Sequence, residues 1–475
     1  MSTFQIRKTK IVATLGPATD APESISALLD AGVNVFRLNA SHSNPDQQKD
    51  RVARIRQAAL QAGVRTGILL DLQGPKIRLG TFPGGPVCLE PGNRFTISTE
   101  PVEGNSTRAF TTYKNLARDV KPGDRILLND GSVELRTLRT DGVSAECEIV
   151  SGGMISDRKG INLPGVSVST PALTRKDRED LLAGLEAGVD MVALSFVRNR
   201  DDLLRLRHFL EEHDSQIPVI AKIEKPEGWA SLEEILGEAD GVMVARGDLG
   251  VEMALEKVPF IQKSIIRRAR ARGRFVITAT QMLESMIDHA TPTRAEVSDI
   301  ANAIHDGTDA VMLSAETSTG RFPIESVRVM ARVATEAEAT MPPERSPDPD
   351  PSIPEIVTHV AWRAAVLAGA SALVVFTTSG GTARSIARYR PSVPVFAFTP
   401  SVAVARQLSV IYGVRAIEAP VVPSTDTMLR QMETMLIDLG WSKPGDIVVL
   451  VSGQPIGHEG STDMMKIHRL GENDS

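Results

Sequence analysis

Eight short β-branched and aliphatic runs, separated by amphipathic segments, constrain the fold of this chain more than any other feature. They read KIVATLG from Lys10, NVFRLN from Asn34, TGILLDL from Thr66 and DMVALSF from Asp190. PVIAKIE from Pro218, GVMVARGD from Gly241, FVITATQ from Phe275 and DAVMLSAE from Asp309 complete the set. Runs this short and this apolar read as strands buried on both faces. Between them, helical periodicity marks Pro22–Ala31, Pro45–Ala62 and Arg175–Ala187, then Asp201–His213, Lys257–Arg272 and Pro292–His305. Strands alternating with helices predict a parallel (β/α)8 barrel, an α/β fold; an open doubly wound sheet is the alternative from pattern alone.

One interval breaks the alternation. From about Gly74 to Pro171 helical periodicity stops, and turn signals at Pro91, Pro122, Asn129 and Thr140 separate short strand-like runs. This predicts a small β-barrel lid domain, residues 74–171, inserted after the third barrel strand and above the face where such barrels carry their active sites. Residues 1–73 and 172–340 then form the barrel. The proline- and charge-rich 341–354 reads as a linker. Residues 355–475 read as a C-terminal three-layer α/β domain, with strands in SALVVFTT, VPVFAFTP, VRAIEAP and DIVVLVSG.

Composition narrows the class. The 475 residues carry a net charge of −6 and no long basic run, which argues against nucleic acid as the main partner. No stretch approaches the roughly 18 apolar residues of a membrane helix. The N-terminus lacks the apolar core of a signal peptide. Only Cys88 and Cys147 are present; a reducing, cytoplasmic setting with inert thiols is expected, one disulfide being the alternative.

Chemistry-bearing residues gather at the carboxyl ends of the predicted strands. Arg37, Asn39, Ser41 and His42 close the second strand, Asp71 the third, Lys222 and Glu224 the fifth, Arg246 and Asp248 the sixth. Thr280 closes the seventh, and Ser314 and Glu316 the eighth. Unpaired buried charge is costly, so charges at this many strand ends need a reason beyond packing. Lys222 and Glu224, two apart, share one strand face, and Arg246 and Asp248 are expected to repeat that arrangement next door. Glu224 and Asp248 brought close would repel unless a cation lay between them, and few hard oxygen donors suit Mg²⁺. A purely structural ring of ion pairs is the alternative. No GxxxxGK[ST] loop occurs, so a P-loop is not supported.

The motifs TKIVATLGPAT, FRLNASHS, DLQGPKIR, KGINLPG, AKIEKPEG, MVARGDLGVE, TATQMLESM, PTRAEVSDIANAI and DGTDAVMLSAETSTG, in this order, resemble those of the pyruvate kinase family. The resemblance runs from about Thr9 to the closing TDMMKIHRL. It implies transfer of the phosphoryl group of phosphoenolpyruvate to ADP, giving pyruvate and ATP, the last step of glycolysis, through a Mg²⁺-stabilised enolate. Glu224 and Asp248 match the Mg²⁺ ligands, with Mn²⁺ as a substitute ion. Lys222 matches the lysine facing the transferring phosphoryl group, Arg37 a substrate-phosphate ligand, and Gly247, Asp248 and Thr280 the residues holding the pyruvate portion. Asn39, His42, Arg78 and Lys159 match the nucleotide side. For the final protonation, Thr280 with water is the leading candidate, ahead of Ser314 and Glu316.

Many members bind K⁺ through positions matching Asn39, Ser41, Asp71 and the Leu72 carbonyl. This chain reads Asp71-Leu72-Gln73-Gly74-Pro75-Lys76 and resembles the K⁺-independent bacterial-type branch, with Lys76 standing in for the ion. In the C-terminal domain, Thr377, Thr378, Ser379, Gly380, Gly381 and Thr382 form a hydroxyl- and glycine-rich loop suited to a phosphate. The loop Gly453–Thr462 is expected to close its other side. The resemblance implies a sugar-phosphate activator there, and a homotetramer. Two rival functions remain at this point: a metal-dependent lyase or aldolase acting on pyruvate-like compounds, and a non-catalytic relative.

Overall fold

The computed structural model describes residues 7–341, 352–422, 424–453, 460 and 462–471. The first three strands are β1 (Lys10–Thr14), β2 (Val35–Asn39) and β3 (Gly67–Asp71). After β3 come eight strands of a β-rich insertion: β4 (Val87–Leu89), β5 (Arg94–Ser98), β6 (Arg108–Phe110), β7 (Arg125–Leu128), β8 (Val133–Thr140), β9 (Ser144–Ser151), β10 (Gly153–Ile155) and β11 (Ile161–Asn162). Five more strands return to the first group: β12 (Met191–Leu194), β13 (Val219–Ile223), β14 (Gly241–Ala245), β15 (Phe275–Ala279) and β16 (Ala310–Leu313). All eight expected barrel strands are present and close in the order β1-β16-β15-β14-β13-β12-β3-β2, with every pairing parallel.

The period-two alternation of a strand explains why these runs are apolar throughout. Val12, Val35, Leu69, Ile220, Met243 and Ile277 belong to one buried cluster, their neighbours Ile11, Phe36, Ile68, Ala221, Val242 and Val276 to another shared with the surrounding helices. Helix starts are fixed by side chains. Asn44 with Gln47, Thr174 with Asp177 and Thr293 with Glu296 each form a reciprocal capping box. Thr174–Asp177 also reaches the insertion's entry, because Asp177 Oδ1 accepts from Gly74 N at 3.0 Å.

The insertion is a six-stranded sheet, β11-β7-β8-β9-β5-β6, beside a β10-β4 hairpin-like pair. Its two edges are joined by the extended segment Ile77–Gly80. Leu79 N donates to Lys159 O and Ile161 N to Ile77 O on one side, and Gly80 N to Phe110 O and Thr112 N to Arg78 O on the other. That segment closes the sheet into the expected small barrel. A four-residue helix, Leu116–Asp119, interrupts the interval that sequence periodicity read as helix-free.

Beyond the barrel, β17 (Ala372–Phe376), β18 (Val395–Thr399), β19 (Val414–Glu418), β20 (Ile447–Gly453) and β21 (Thr462–Arg469) form a sheet in the order β19-β18-β17-β20-β21, with β21 antiparallel. Four of these strands coincide with the expected runs. β21 does not, because THR-MET-LYS-type alternation in TDMMKIHR carries little strand signal. Most of the expected linker (342–351) and most of the Gly453–Thr462 loop (454–459 and 461) lie outside the described residues. Among the described residues, no helix is long and apolar enough to cross a membrane. Both cysteines are free. Burial pushes the Cys147 thiol up to about 12, in keeping with an inert side chain.

Candidate active site

The carboxyl ends of β2, β3, β12 and β13 bring four charged side chains into one buried network. Arg37 Nε donates to Asp71 Oδ2 at 2.7 Å, and Arg37 Nη1 to Thr14 Oγ1 at 3.0 Å. Lys222 Nζ lies 3.2 Å from Asp71 Oδ1 and 2.9 Å from Glu224 Oε1. Lys222 also donates to Ser195 Oγ at 2.7 Å, and Ser195 Oγ in turn donates to Leu72 O at 2.7 Å. The second oxygen of Glu224 accepts from Phe196 N at 2.7 Å. Lys222 and Glu224 therefore share one face, as their spacing requires.

Electrostatics favours the charged forms of Lys222 and Asp71. Burial alone would depress Lys222, but Asp71 and Glu224 outweigh it and lift its pKa above the ordinary value. Burial alone would raise Asp71; Lys222 and Arg37 overcome this and hold it below the usual carboxylate range. Glu224 goes the other way. Burial, reinforced by the charge of Asp248, pushes it up against the pull of Lys222. A buried carboxylate destabilised by a second carboxylate is relieved by a cation between them.

Asp248 has no hydrogen-bond or ion-pair partner among the described residues and is half-buried, so its oxygens are available. Among the described residues no group of three or more His, Cys, Asp or Glu side chains gathers as a closed metal site would need. Two carboxylates alone suit an ion such as Mg²⁺, which keeps several water or substrate oxygens in its shell.

The sixth strand departs from expectation. β14 stops at Ala245, and Arg246 begins the helix Arg246–Glu252. Residues two apart on a helix point in different directions, so Arg246 and Asp248 do not share a face as they would on a strand. Arg246 turns away to Asp299, 2.6 Å from Nη1, and to the carbonyl of Thr280, 2.7 Å from Nη2. It is not part of the Lys222 network.

Thr280 sits at φ 68 and Gln281 at φ 55, with Phe196 at φ 57. Left-handed backbone at non-glycine residues is costly, most of all for β-branched threonine, and persists where neighbours impose it. Here Arg246 grips the Thr280 carbonyl, while Thr280 Oγ1 accepts from Gly247 N at 2.8 Å and donates to Ala279 O at 2.6 Å. Gly247 and Thr280 are thus joined. Ser314 Oγ is buried without a partner, and Glu316 accepts from Ser314 N and Leu283 N.

Three of the four positions expected to hold a monovalent cation are engaged within the protein. Asn39 Oδ1 accepts from Ser41 N at 3.1 Å, Asp71 from Arg37 and Lys222, and Leu72 O from Ser195. Lys76 lines a cleft with Gly160, Phe196, Lys225, Asp248 and Glu252, which Asn39, Ser41 and Asp71 do not line. Arg78 and Lys159 lie on the paired segments that close the insertion, with Arg78 Nη1 donating to Arg158 O at 3.1 Å; no bond joins them to the Lys222 network. The side chain of His42 lies outside the described residues.

Sequence reasoning missed Ser195, the Phe196 amide, Thr14 and Asp299. Ser195 and Thr14 stood at the ends of predicted strands, where their positions could have flagged them; the Phe196 amide and Asp299 are long-range partners with no local signal.

In the C-terminal sheet, the loop after β17 borders a cavity of about 210 Å³ lined by Thr377, Thr378, Ser379, Gly381, Thr382 and Thr462, among others. Gly380 takes φ 81 and donates from its amide to Thr377 Oγ1 at 2.8 Å. Thr382 and Thr462 hydroxyls meet at 2.7 Å, joining the two sides of the cavity.

Residues 6–327 match the family model for the pyruvate kinase barrel domain, and residues 355–468 that for the pyruvate kinase alpha/beta domain. The chain belongs to the pyruvate kinase family. A pyruvate kinase of Corynebacterium glutamicum is 46% identical over 470 residues, covering 98% of each chain. One of Mycobacterium tuberculosis is 46% identical over 474 residues, covering 98% of this chain and 99% of the relative. The crystal structure of a pyruvate kinase from Cryptosporidium parvum superposes with a TM-score of 0.92 at 36% identity, covering 98% of this chain and 96% of that one. As a pyruvate kinase the chain is a phosphotransferase, and neither a lyase nor a non-catalytic relative is supported.

Proposed function

We propose that the Arg37–Asp71–Lys222–Glu224 network is the phosphoryl-transfer site for phosphoenolpyruvate and ADP. The observation that carries this reading is a charged lysine and arginine, buried together at the barrel mouth in a chain of this family. The P–O bond of phosphoenolpyruvate breaks, a bond to a terminal ADP oxygen forms, and the enolate left behind takes a proton to become pyruvate. Charge builds on the phosphoryl oxygens and on the leaving oxygen, and positive groups already in place there need no reorganisation. Lys222 and Arg37 supply them. Gly247, Asp248 and Thr280 orient the three-carbon portion, and Thr280 is the leading route for the proton. Asn39, His42, Arg78 and Lys159 are assigned to the nucleotide side.

Glu224 and Asp248 would hold Mg²⁺, or Mn²⁺ in its place. When bound, the ion supplies Lewis-acid charge to substrate oxygens. Lys76 is assigned as the replacement for K⁺ on its ammonium charge, in the cleft that also carries Asp248. The same reading divides the chain into a barrel (1–73 and 172–340), a lid (74–171), a linker (341–354) and a regulatory domain (355–475). The threonine-lined cavity of that last domain takes a sugar phosphate. A homotetramer is favoured by exposed apolar side chains such as Phe260, 73% exposed, and Leu367, 81% exposed.

The test is pyruvate formation from phosphoenolpyruvate and ADP with Mg²⁺, with and without K⁺, across a panel of sugar phosphates. Turnover in K⁺- and NH₄⁺-free buffer is expected. No pyruvate under any condition overturns the activity; a strict K⁺ requirement overturns only the role of Lys76.

A further inference from the structure

Glu252 is a buried carboxylate that the proposed chemistry does not use, and one of its oxygens gathers three parts of the molecule. Glu252 Oε1 accepts from Lys225 Nζ at 3.0 Å and from Asn162 Nδ2 at 3.0 Å. Lys225 directly follows Glu224 at the end of β13. Asn162 belongs to β11 of the insertion. Glu252 itself ends the short helix whose first turn carries Asp248.

Both charges of the Lys225–Glu252 pair are almost fully buried, with side chains 10% and 1% exposed. A pair in that environment is costly to break, because the group left behind is an uncompensated buried charge. The insertion also comes close beside this pair. A Cβ built on Gly131, in a left-handed turn of the insertion at φ 85, would stand 3.6 Å from Val251 Cγ1. The insertion therefore bonds the Asp248 helix at Glu252 and runs beside it at Val251. Glu252 Oε2 is buried with no partner, so the carboxylate is fixed through Oε1 alone.

We infer that Glu252 is a positioning residue that ties the lid to the two carboxylates Glu224 and Asp248. Through Lys225 it fixes the residue next to Glu224. Through its own helix it fixes the turn that carries Asp248. Through Asn162 it makes that arrangement depend on where the lid sits. The inference rests on the reading of Glu224 and Asp248 as divalent-cation ligands. Linkage then requires reciprocity: an ion that draws the two carboxylates together must also favour the docked lid.

Mn²⁺ binding followed by electron paramagnetic resonance, without substrates, tests this together with hydrogen exchange in β11 and β7. Asn162→Ala removes only the lid's contact and leaves the barrel pair intact, so its folding is not at issue; Glu252→Gln removes the charge that holds Lys225. Groups supporting a metal ligand typically change affinity by about 10–100-fold. Glu252→Gln is expected to weaken Mn²⁺ binding about 10-fold. Asn162→Ala is expected to abolish the slowing of β11 exchange that Mn²⁺ causes in the wild type. Wild-type Mn²⁺ affinity in Glu252→Gln, or Mn²⁺-dependent protection of β11 unchanged in Asn162→Ala, overturns the inference. Should Glu252→Gln fail to fold, the Asn162→Ala exchange result alone decides it. Wild-type Mn²⁺ binding unaffected by Glu224→Gln overturns both the inference and the cation reading beneath it.

Discussion

On the proposed reading, Lys222 is a side chain on which the chemistry depends more than the fold does. It is held between Asp71 and Glu224, 3.2 Å from one carboxylate and 2.9 Å from the other. Removing one well-placed electrostatic donor costs about 10²–10³ in rate. Lys222→Met should therefore lower kcat by at least that order. Loss of a buried ion-pair partner normally threatens stability as well. Here the remaining acids have other support. Asp71 keeps Arg37, and Glu224 keeps the Phe196 amide, with a pKa already raised toward its neutral form. The circular dichroism spectrum of Lys222→Met is expected to match the wild type. Near-normal turnover in that variant would falsify the assignment of Lys222.

At the scale of elements, the five-residue helix Pro226–Ala230 fixes the backbone just after Glu224 and Lys225. Its Gly228 is buried, and a Cβ there would stand 2.4 Å from Val197 O. Two effects of Gly228→Ala compete. Alanine favours a helix over glycine by about 1 kcal/mol. Overpacking against a backbone atom that cannot swing aside costs about 1–3 kcal/mol. Sterics should win, and Gly228→Ala should lower the thermal midpoint; a raised midpoint would mean that Val197 yields. The same element scale shows what the sequence could and could not tell. The barrel strands were legible because burial on both faces demands continuous apolar runs, and candidate site residues could be named because most runs end on a polar or charged residue. The turn of direction at Arg246 was not. GVMVARGD reads as one strand, yet the helix starts directly after Ala245 and sends Arg246 to Asp299. Nothing local announces a partner 53 positions away. The same holds for Arg37 with Asp71 and for Lys225 with Glu252. Which charges meet is decided by barrel closure, not by spacing along the chain.

Across the whole molecule, the barrel and the C-terminal sheet are not independent bodies joined by a tether. One buried apolar cluster contains Val12, Leu69, Ile220 and Ile277 from inside the barrel together with Leu373, Val375, Val395 and Val449 from the C-terminal sheet. Polar links cross the same junction. Arg390 Nη1 lies 2.7 Å from Asp309 Oδ1, Gly413 N donates to Lys8 O at 2.9 Å, and Lys10 Nζ donates to Val414 O at 2.7 Å. Lys10 is the least comfortable of these groups. Burial first, then the charges of Arg7 and Arg415, bring it from 10.5 down to about 7, against the opposing pull of Glu338 and Asp309. Between those two values the unfolded chain binds a proton that the folded chain does not. Stability therefore rises with pH across that window; the penalty is full below about 7 and gone above 10.5. Lys10→Met removes the titrating group and with it this slope. It also leaves the Val414 carbonyl without its donor, a loss that does not vary with pH. The stability of Lys10→Met relative to wild type should thus be most favourable near pH 7 and decline steadily toward pH 10, as read from denaturant midpoints. Parallel midpoint curves for the two proteins would show that Lys10 stays charged in the junction. In that case the barrel and the C-terminal sheet must meet across water rather than across the dry contact described above.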